Sequence, residues 1–174
     1  PYLDRLIAYN RCLMQRNSLL KQASRGGVLD KGLLDVLDAQ LVELGLPIFE
    51  KRRAFMDEFI PEFNGHYGFL TETAESVSLT YESQLMGGNF AELLKQHLDR
   101  DRALERTTVG IHKDDLQFTI HVDMPLKKFG SQGQQKSFLI ALKLAQYSFL
   151  YRQKGFKPLL LLDDIFDKLD EHRT

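Results

Sequence analysis

Cysteine is almost missing from this chain: Cys12 is the only one in 174 residues. That excludes an intrachain disulfide and fits a reducing compartment, so a cytoplasmic setting is expected. Long hydrophobic runs are missing too. No apolar stretch approaches the roughly 18 residues needed to cross a bilayer, so no membrane partner is expected. Neither charge dominates, with a formal net of −1. Residues 1–25 carry Arg5, Arg11, Arg16, Lys21 and Arg25 against Asp4 alone, a local excess of +4, and the tail from Thr107 onward has a smaller one of +2. Neither announces a nucleic-acid binder by composition. There is no internal repeat and no low-complexity segment. The phosphate-loop pattern G-x-x-x-x-G-K-[ST] is also lacking. Gly26-Gly27 runs into Val28-Leu29-Asp30-Lys31-Gly32 with the wrong spacing, and Gly87-Gly88 meets no lysine at the right distance. The start at Pro1-Tyr2-Leu3-Asp4-Arg5 is neither a signal peptide nor a natural initiator, so a piece of a longer protein is expected.

What is present is ordinary in bulk: 43% hydrophobic and 27% charged residues are enough for a soluble domain with a real core. Leu3, Leu6, Asn10, Leu13, Asn17 and Leu20 recur at alternating three- and four-residue spacing, which predicts a helix with a packing seam over 2–24. Gly26-Gly27 ends it, and Asp30 is placed to cap the next helix. Leu34, Leu37, Leu41, Leu44 and Ile48 repeat the spacing, Phe55, Phe59 and Phe63 extend it, and Gly45 with Pro47 predicts a kink or short break. The two helices read as a hairpin, an arm. Ser76 to Tyr81 alternates like a strand, Phe90 to Arg106 reads as one charged amphipathic helix, and Thr107–His112 and Leu116–Val122 read as strands joined by a polar turn at Lys113-Asp114-Asp115. Gln134 to Lys154 reads as a helix with Phe138, Leu142, Ala145 and Phe149 on one face, and Leu159 to Leu162 as a buried strand. The fold class is therefore α+β. A helical-hairpin lobe with a small strand element over 1–106 precedes an α/β piece over 107–174.

Two segments carry chemistry. Ser131-Gln132-Gly133-Gln134-Gln135-Lys136 places small and polar residues where a turn meets a helix N-terminus, whose N–H groups and positive dipole suit a phosphate. The same residues also suit a plain serine cap, with Gln135 near its third position. The apolar strand ending in Asp163-Asp164 suits a Mg²⁺-bound water and a water attacking a γ-phosphate, or else a surface turn. His112, Asp114 and Asp115 lack metal-ligand spacing and read as a polar hairpin turn. The basic first helix, through Arg5, Arg11, Arg16 and Lys21, is a candidate for sequence-independent contact with a DNA backbone.

Together the segments carry a resemblance. Ser131-Gln132-Gly133-Gln134-Gln135 looks like the signature motif of ABC-type ATPases. Leu159–Asp164 with Asp167–Asp170 looks like their Walker B strand and D-loop. Gln132 in place of the motif's first glycine is similar to the RecF family of SMC-like recombination-repair ATPases. Tyr9-Asn10-Arg11, Gln15 to Lys21, Tyr81-Glu82-Ser83 and Thr108 to Leu116 agree with that family. Ile111 and Lys113 depart from its usual Gly-Pro-His-Arg-Asp-Asp, and Lys113 keeps a charge but loses the guanidinium fork.

The resemblance implies an incomplete C-terminal piece of an ABC-type head joined to an arm. It implies that two heads sandwich ATP. Ser131, Gln132, Gly133 and Gln134 would then meet the γ-phosphate held by the other subunit, Asp163 would hold Mg²⁺ through water, and Asp164 would direct the attacking water. Asp167, Leu169 and Asp170 would form the dimer-facing D-loop. It further implies an ATP-dependent homodimer on double-stranded or gapped DNA, working with RecR- and RecO-type mediators to load recombinase. Without a phosphate loop, the chain alone is expected to be inactive as an ATPase. Two other readings remain open: a head fragment of another SMC-like or RecN-like ATPase, and a non-catalytic helical interaction module.

Overall fold

The computed structural model describes residues 1–71, 77–121 and 123–161. In order, these form α1 (Tyr2–Ser24), α2 (Lys31–Leu70), β1 (Val77–Glu82), α3 (Phe90–Gln96), α4 (Leu98–Leu104), β2 (Asp115–Ile120), β3 (Met124–Pro125), α5 (Leu126–Phe129) and α6 (Gln132–Lys154). The strands make one sheet in the order β1-β2-β3, with β2 and β3 antiparallel and Thr119 opposite Pro125. The α+β class holds. The chain divides into two compact units, one of residues 1–53 with 82–115, the other of 54–81 with 116–174.

The first unit is built on the α1–α2 hairpin. Gly26 takes φ +94°, a left-handed backbone that glycine adopts without penalty and that ends the α1 segment. Asp30 Oδ1 then accepts from the Leu33 N–H at 3.0 Å and starts α2. Cys12 Sγ donates to the Leu37 carbonyl at 3.3 Å, and Arg52 Nε donates to the Tyr2 hydroxyl at 3.1 Å, so the helices run antiparallel. The buried face of α1 is Tyr9, Cys12, Arg16, Leu19 and Leu20. This corrects the expected seam: Leu3 and Asn10 face solvent, and Asn17 instead accepts from the Thr107 N–H at 2.7 Å. Of the expected seam Leu20 is buried and Leu6 and Leu13 are half-buried, so the buried face is turned by about one residue from it and takes in Arg16.

No break interrupts α2 at Gly45 or Pro47. Gly45 is there for space: a Cβ would sit 2.8 Å from the Phe90 ring and 3.2 Å from the Tyr9 ring. The expected single helix over Phe90–Arg106 is two, α3 and α4. They part at His97, whose ψ of 3° leaves the helical region. The expected strand at Thr107–His112 is instead a loop ending in a 3₁₀ turn at Ile111–Lys113. Its groups bond to the hairpin rather than to another strand: Thr107 to Asn17, and Asp114 to Arg52. The loop through Asp115 accordingly belongs to the first unit.

The second unit packs the sheet and α6 on the end of α2. Met56, Phe59, Phe63, Tyr67, Leu79, Ile120, Leu126, Phe138, Ala141 and Ala145 are its core, with Leu142 and Phe149 packed against it. Phe63 and Phe138 stand 4.7 Å apart between ring centroids, and Phe55 meets Phe149 edge-on at 4.9 Å. A fully buried member of this core such as Phe63 contributes about 1.5–3 kcal/mol. The face read from the sequence for α6 is the face that is buried.

Candidate nucleotide-contact site

The site lies at the start of α6. Leu126 packs α5 so closely that a Cβ on Gly130 would lie 2.7 Å from both the Leu126 Cδ1 and its carbonyl oxygen, so the turn needs glycine. Ser131 follows as N-cap. Its Oγ accepts from the Gln134 N–H at 3.1 Å, and the Gln134 Oε1 accepts from the Ser131 N–H at 2.8 Å. This is a reciprocal capping box, with Gln134 rather than the expected Gln135 at the third position. Gln135 Nε2 instead donates to the Gly130 carbonyl at 2.9 Å, closing the turn from the other side. Ser131 and Gln132 are exposed.

The cap and the phosphate reading are compatible. Ser131 Oγ accepts in the cap, and its hydroxyl hydrogen remains available to an outside acceptor. Helix geometry leaves the N–H groups of Gln132 and Gly133 without intrahelical acceptors, pointing outward at the positive end of a 23-residue helix. The donor set therefore fits an anionic oxygen such as a phosphate.

Asp163, Asp164, Asp167, Leu169 and Asp170 lie outside the described residues, so the structure does not place them beside Ser131. The approach to them is described. Leu159 and Leu161 are 95% and 91% exposed and belong to no strand, which corrects the expected buried strand at that point. A strand needs neighbours for its backbone groups, and the described sheet ends at β1 and β3 with none beside Leu159.

Of the four basic candidates on α1, Arg5, Arg11 and Lys21 are exposed. At 100° per residue, Arg11 and Lys21 lie about 80° apart on the wheel, with Arg5 about 120° and 160° from them, so they form no single stripe. Arg16 is a correction, because its side chain is wholly buried and cannot reach a backbone phosphate. Its guanidinium holds Asp38 Oδ1 at 2.5 Å, Asp101 Oδ2 at 2.6 Å and Thr107 Oγ1 at 3.0 Å. Sequence reading missed Asp101 as that partner. The available signal was position: Arg16 repeats the helical face of Tyr9 and Cys12.

The 107–115 loop also differs from the polar hairpin turn. His112 is half-buried between the Tyr9 hydroxyl and the Thr107 carbonyl, each 3.1 Å from a ring nitrogen. Burial holds its imidazole below the ordinary range and pushes the Tyr9 phenol well above its own. Asp114 pairs with Arg52 at 2.7 Å. Among the described residues, no group of three or more histidine, cysteine, aspartate or glutamate side chains could hold a metal ion. Likewise, no described helix is long and apolar enough to cross a membrane.

The hairpin lobe, the small sheet and the capped α6 match part of an ABC ATPase-type fold. The solved structure of the recombination mediator protein RecF with ATP, of the RecFOR pathway, superposes at TM-score 0.84 with 27% identity, covering 99% of this chain and 48% of that one. Its ATPγS counterpart gives 0.82 over the same shares. Over nearly its whole length the chain is similar to RecF proteins. It is 55% identical over 173 residues to the DNA replication and repair protein RecF of Flavobacterium johnsoniae, covering 99% of this chain and 48% of that protein. It is 45% identical over 172 residues to that of Cytophaga hutchinsonii, covering 99% and 45%. The chain thus spans about half the length of the curated relatives it matches. No family profile matches it.

Proposed function

We propose that this chain supplies half of a composite ATP site in a RecF-type recombinational repair protein. The single observation that carries the proposal is the exposed, serine-capped N-terminus of α6, in a chain so similar to RecF along nearly its whole length. Ser131, Gln132 and Gly133 bind the γ-phosphate of ATP held by a second subunit, through the Ser131 hydroxyl and the two outward N–H groups, while Gln134 holds Ser131 in place through the capping box. Asp163 holds Mg²⁺ through water, Asp164 orients the attacking water, and Asp167, Leu169 and Asp170 face the dimer partner. Mg²⁺ supplies charge neutralisation on the phosphates. The assembled homodimer sits on double-stranded or gapped DNA, touches its backbone through Arg11 and Lys21 with Arg5 at a second bearing, and acts with RecR- and RecO-type mediators in the cytoplasm.

A chain without a phosphate loop has no cradle of its own for the nucleotide, so these 174 residues alone do not turn ATP over. Turnover by this chain that Asp164→Asn abolishes would overturn that statement. The main test uses a polypeptide extended to the relatives' length, followed by sedimentation with ATP and DNA. Ser131→Arg is expected to block ATP-dependent dimerisation, and Asp164→Asn to preserve it while slowing hydrolysis. Unchanged dimerisation of the Ser131→Arg protein sinks the composite site. A DNA-binding constant that does not change with salt removes the backbone contacts.

A further inference from the structure

The chain enters or leaves the first unit at three places: after Arg53, before Glu82 and after Asp115. Arg52 and Asp114 are the penultimate residues at two of these exits, and their side chains meet. Arg52 Nη1 donates to Asp114 Oδ2 and to the Ile111 carbonyl, each at 2.7 Å. Two residues before Asp114, His112 joins the same loop to α1. The Thr107 carbonyl can only accept, so His112 Nε2 carries the proton there. In the neutral ring Nδ1 is then an acceptor, and the Tyr9 hydroxyl donates to it. Tyr9 is wholly buried, and Gly110, at φ +119°, packs so close that a Cβ would lie 2.6 Å from its hydroxyl oxygen.

We propose that Tyr9, Arg52, His112 and Asp114 form a proton-gated clasp, which closes the 107–115 loop on the hairpin and fastens two chain exits together while His112 is neutral, and which opens when His112 is protonated. Protonation gives both ring nitrogens a hydrogen. Tyr9 must then accept where it donated, and its own hydrogen loses its acceptor in a packed interior. The groups around the His112–Tyr9 pair come from every neighbouring element: Cys12 on α1 and Arg52 on α2 act on Tyr9, and Asp101 on α4 with Lys113 in the loop act on His112, while Asp114 acts on both. Lys113 opposes a new positive charge and Asp101 and Asp114 favour it, but those two carboxylates are already engaged by Arg16 and Arg52. Burial is the largest influence and keeps the ring neutral. The unfolded ring takes up its proton near pH 6.5, and the folded one only at lower pH. The unfolded state therefore binds more protons in that interval, and the closed loop loses stability as pH falls through it.

The test is hydrogen exchange of the 107–115 backbone amides in this chain at pH 7.5 and pH 5.5, corrected for intrinsic rates, with ¹⁵N shifts of the His112 ring. The expected result is a neutral ring protonated at Nε2 at the higher pH. Loop protection should fall on acidification, by up to the roughly tenfold reached when the folded ring excludes the proton one pH unit below the free imidazole's pKa. His112→Gln, which cannot charge, should remove the pH dependence. Tyr9→Phe, which keeps the ring and deletes the hydroxyl, should bring protection at pH 7.5 down toward the acid value. Protection that does not change with pH, a ring protonated at Nδ1, the same acid response in His112→Gln, or full protection in Tyr9→Phe each overturns the clasp.

Discussion

Arg16 Nη1 stands 2.6 Å from Asp101 Oδ2, and neither side chain is reached by solvent. Asp101 also accepts from the Thr108 N–H at 2.8 Å and the Thr108 hydroxyl at 2.6 Å, so one carboxylate joins α1, α4 and the loop after α4. Removing one member of such a pair leaves the other as an uncompensated buried charge.

Asp101→Asn is therefore expected to lower stability by about 3–5 kcal/mol, read from urea denaturation. Asp38, the second carboxylate on Arg16, is partly exposed, and burial holds its carboxyl above the ordinary range despite the nearby guanidinium. Keeping it charged in the fold is already costly. Asp38→Asn should cost clearly less than Asp101→Asn, and equal losses would contradict this ranking.

Two glycines within α2 make opposite predictions for the same change. Alanine gains about 1 kcal/mol over glycine in a helix interior. At Gly45 the new methyl would lie 2.8 Å from the Phe90 ring, and overpacking of that kind costs about 1–3 kcal/mol. At Gly65 a Cβ meets nothing within 4 Å. Thermal melting should show Gly65→Ala raised and Gly45→Ala lowered or unchanged. A clear rise for Gly45→Ala would mean that Phe90 gives way easily.

These glycines also show where the sequence could be read and where it could not. Gly26 and Asp30 announce their roles locally, because a left-handed turn and an N-cap need only the residues on either side. The α6 face of Phe138 and Ala145 was equally legible, since its period is a property of one helix. Gly45 was misread as a breaker because its reason, the Phe90 and Tyr9 rings, lies elsewhere in the chain. Arg16 was misread as a surface cation for the same cause: its partners Asp38 and Asp101 are 22 and 85 residues away. At the candidate site, the Ser131 turn was legible as a helix start, whereas its relation to Asp163 and Asp164 was legible only through resemblance.

Arg152 Nη1 bonds to Glu62 in the second unit, and that bond holds the Glu62 carboxyl below its ordinary range. A depressed carboxylate contributes stability above its unfolded pKa and loses it as pH falls through the folded one. Arg152→Ala should move the Glu62 titration upward, as read by carboxyl ¹³C shifts. At this largely solvated position it should change stability near neutral pH by less than about 1 kcal/mol. No movement in the Glu62 titration would show that the ion pair does not persist in solution.

Ser131 has a structural duty as a cap and a proposed duty toward phosphate, and aspartate separates them. Asp caps helices as well as Ser does and suits the positive end of α6, so Ser131→Asp should leave the melting of this chain within about 0.5 kcal/mol of wild type. The same carboxylate would place a negative charge where the γ-phosphate is proposed to sit, so in the extended protein ATP-dependent dimerisation should fail. Ser131→Ala makes the opposite pattern: about 1 kcal/mol of stability lost with the cap, yet dimerisation largely kept through the Gln132 and Gly133 N–H groups. If Ser131→Asp dimerises with ATP as wild type does, the start of α6 is a capped helix end and no part of a nucleotide site.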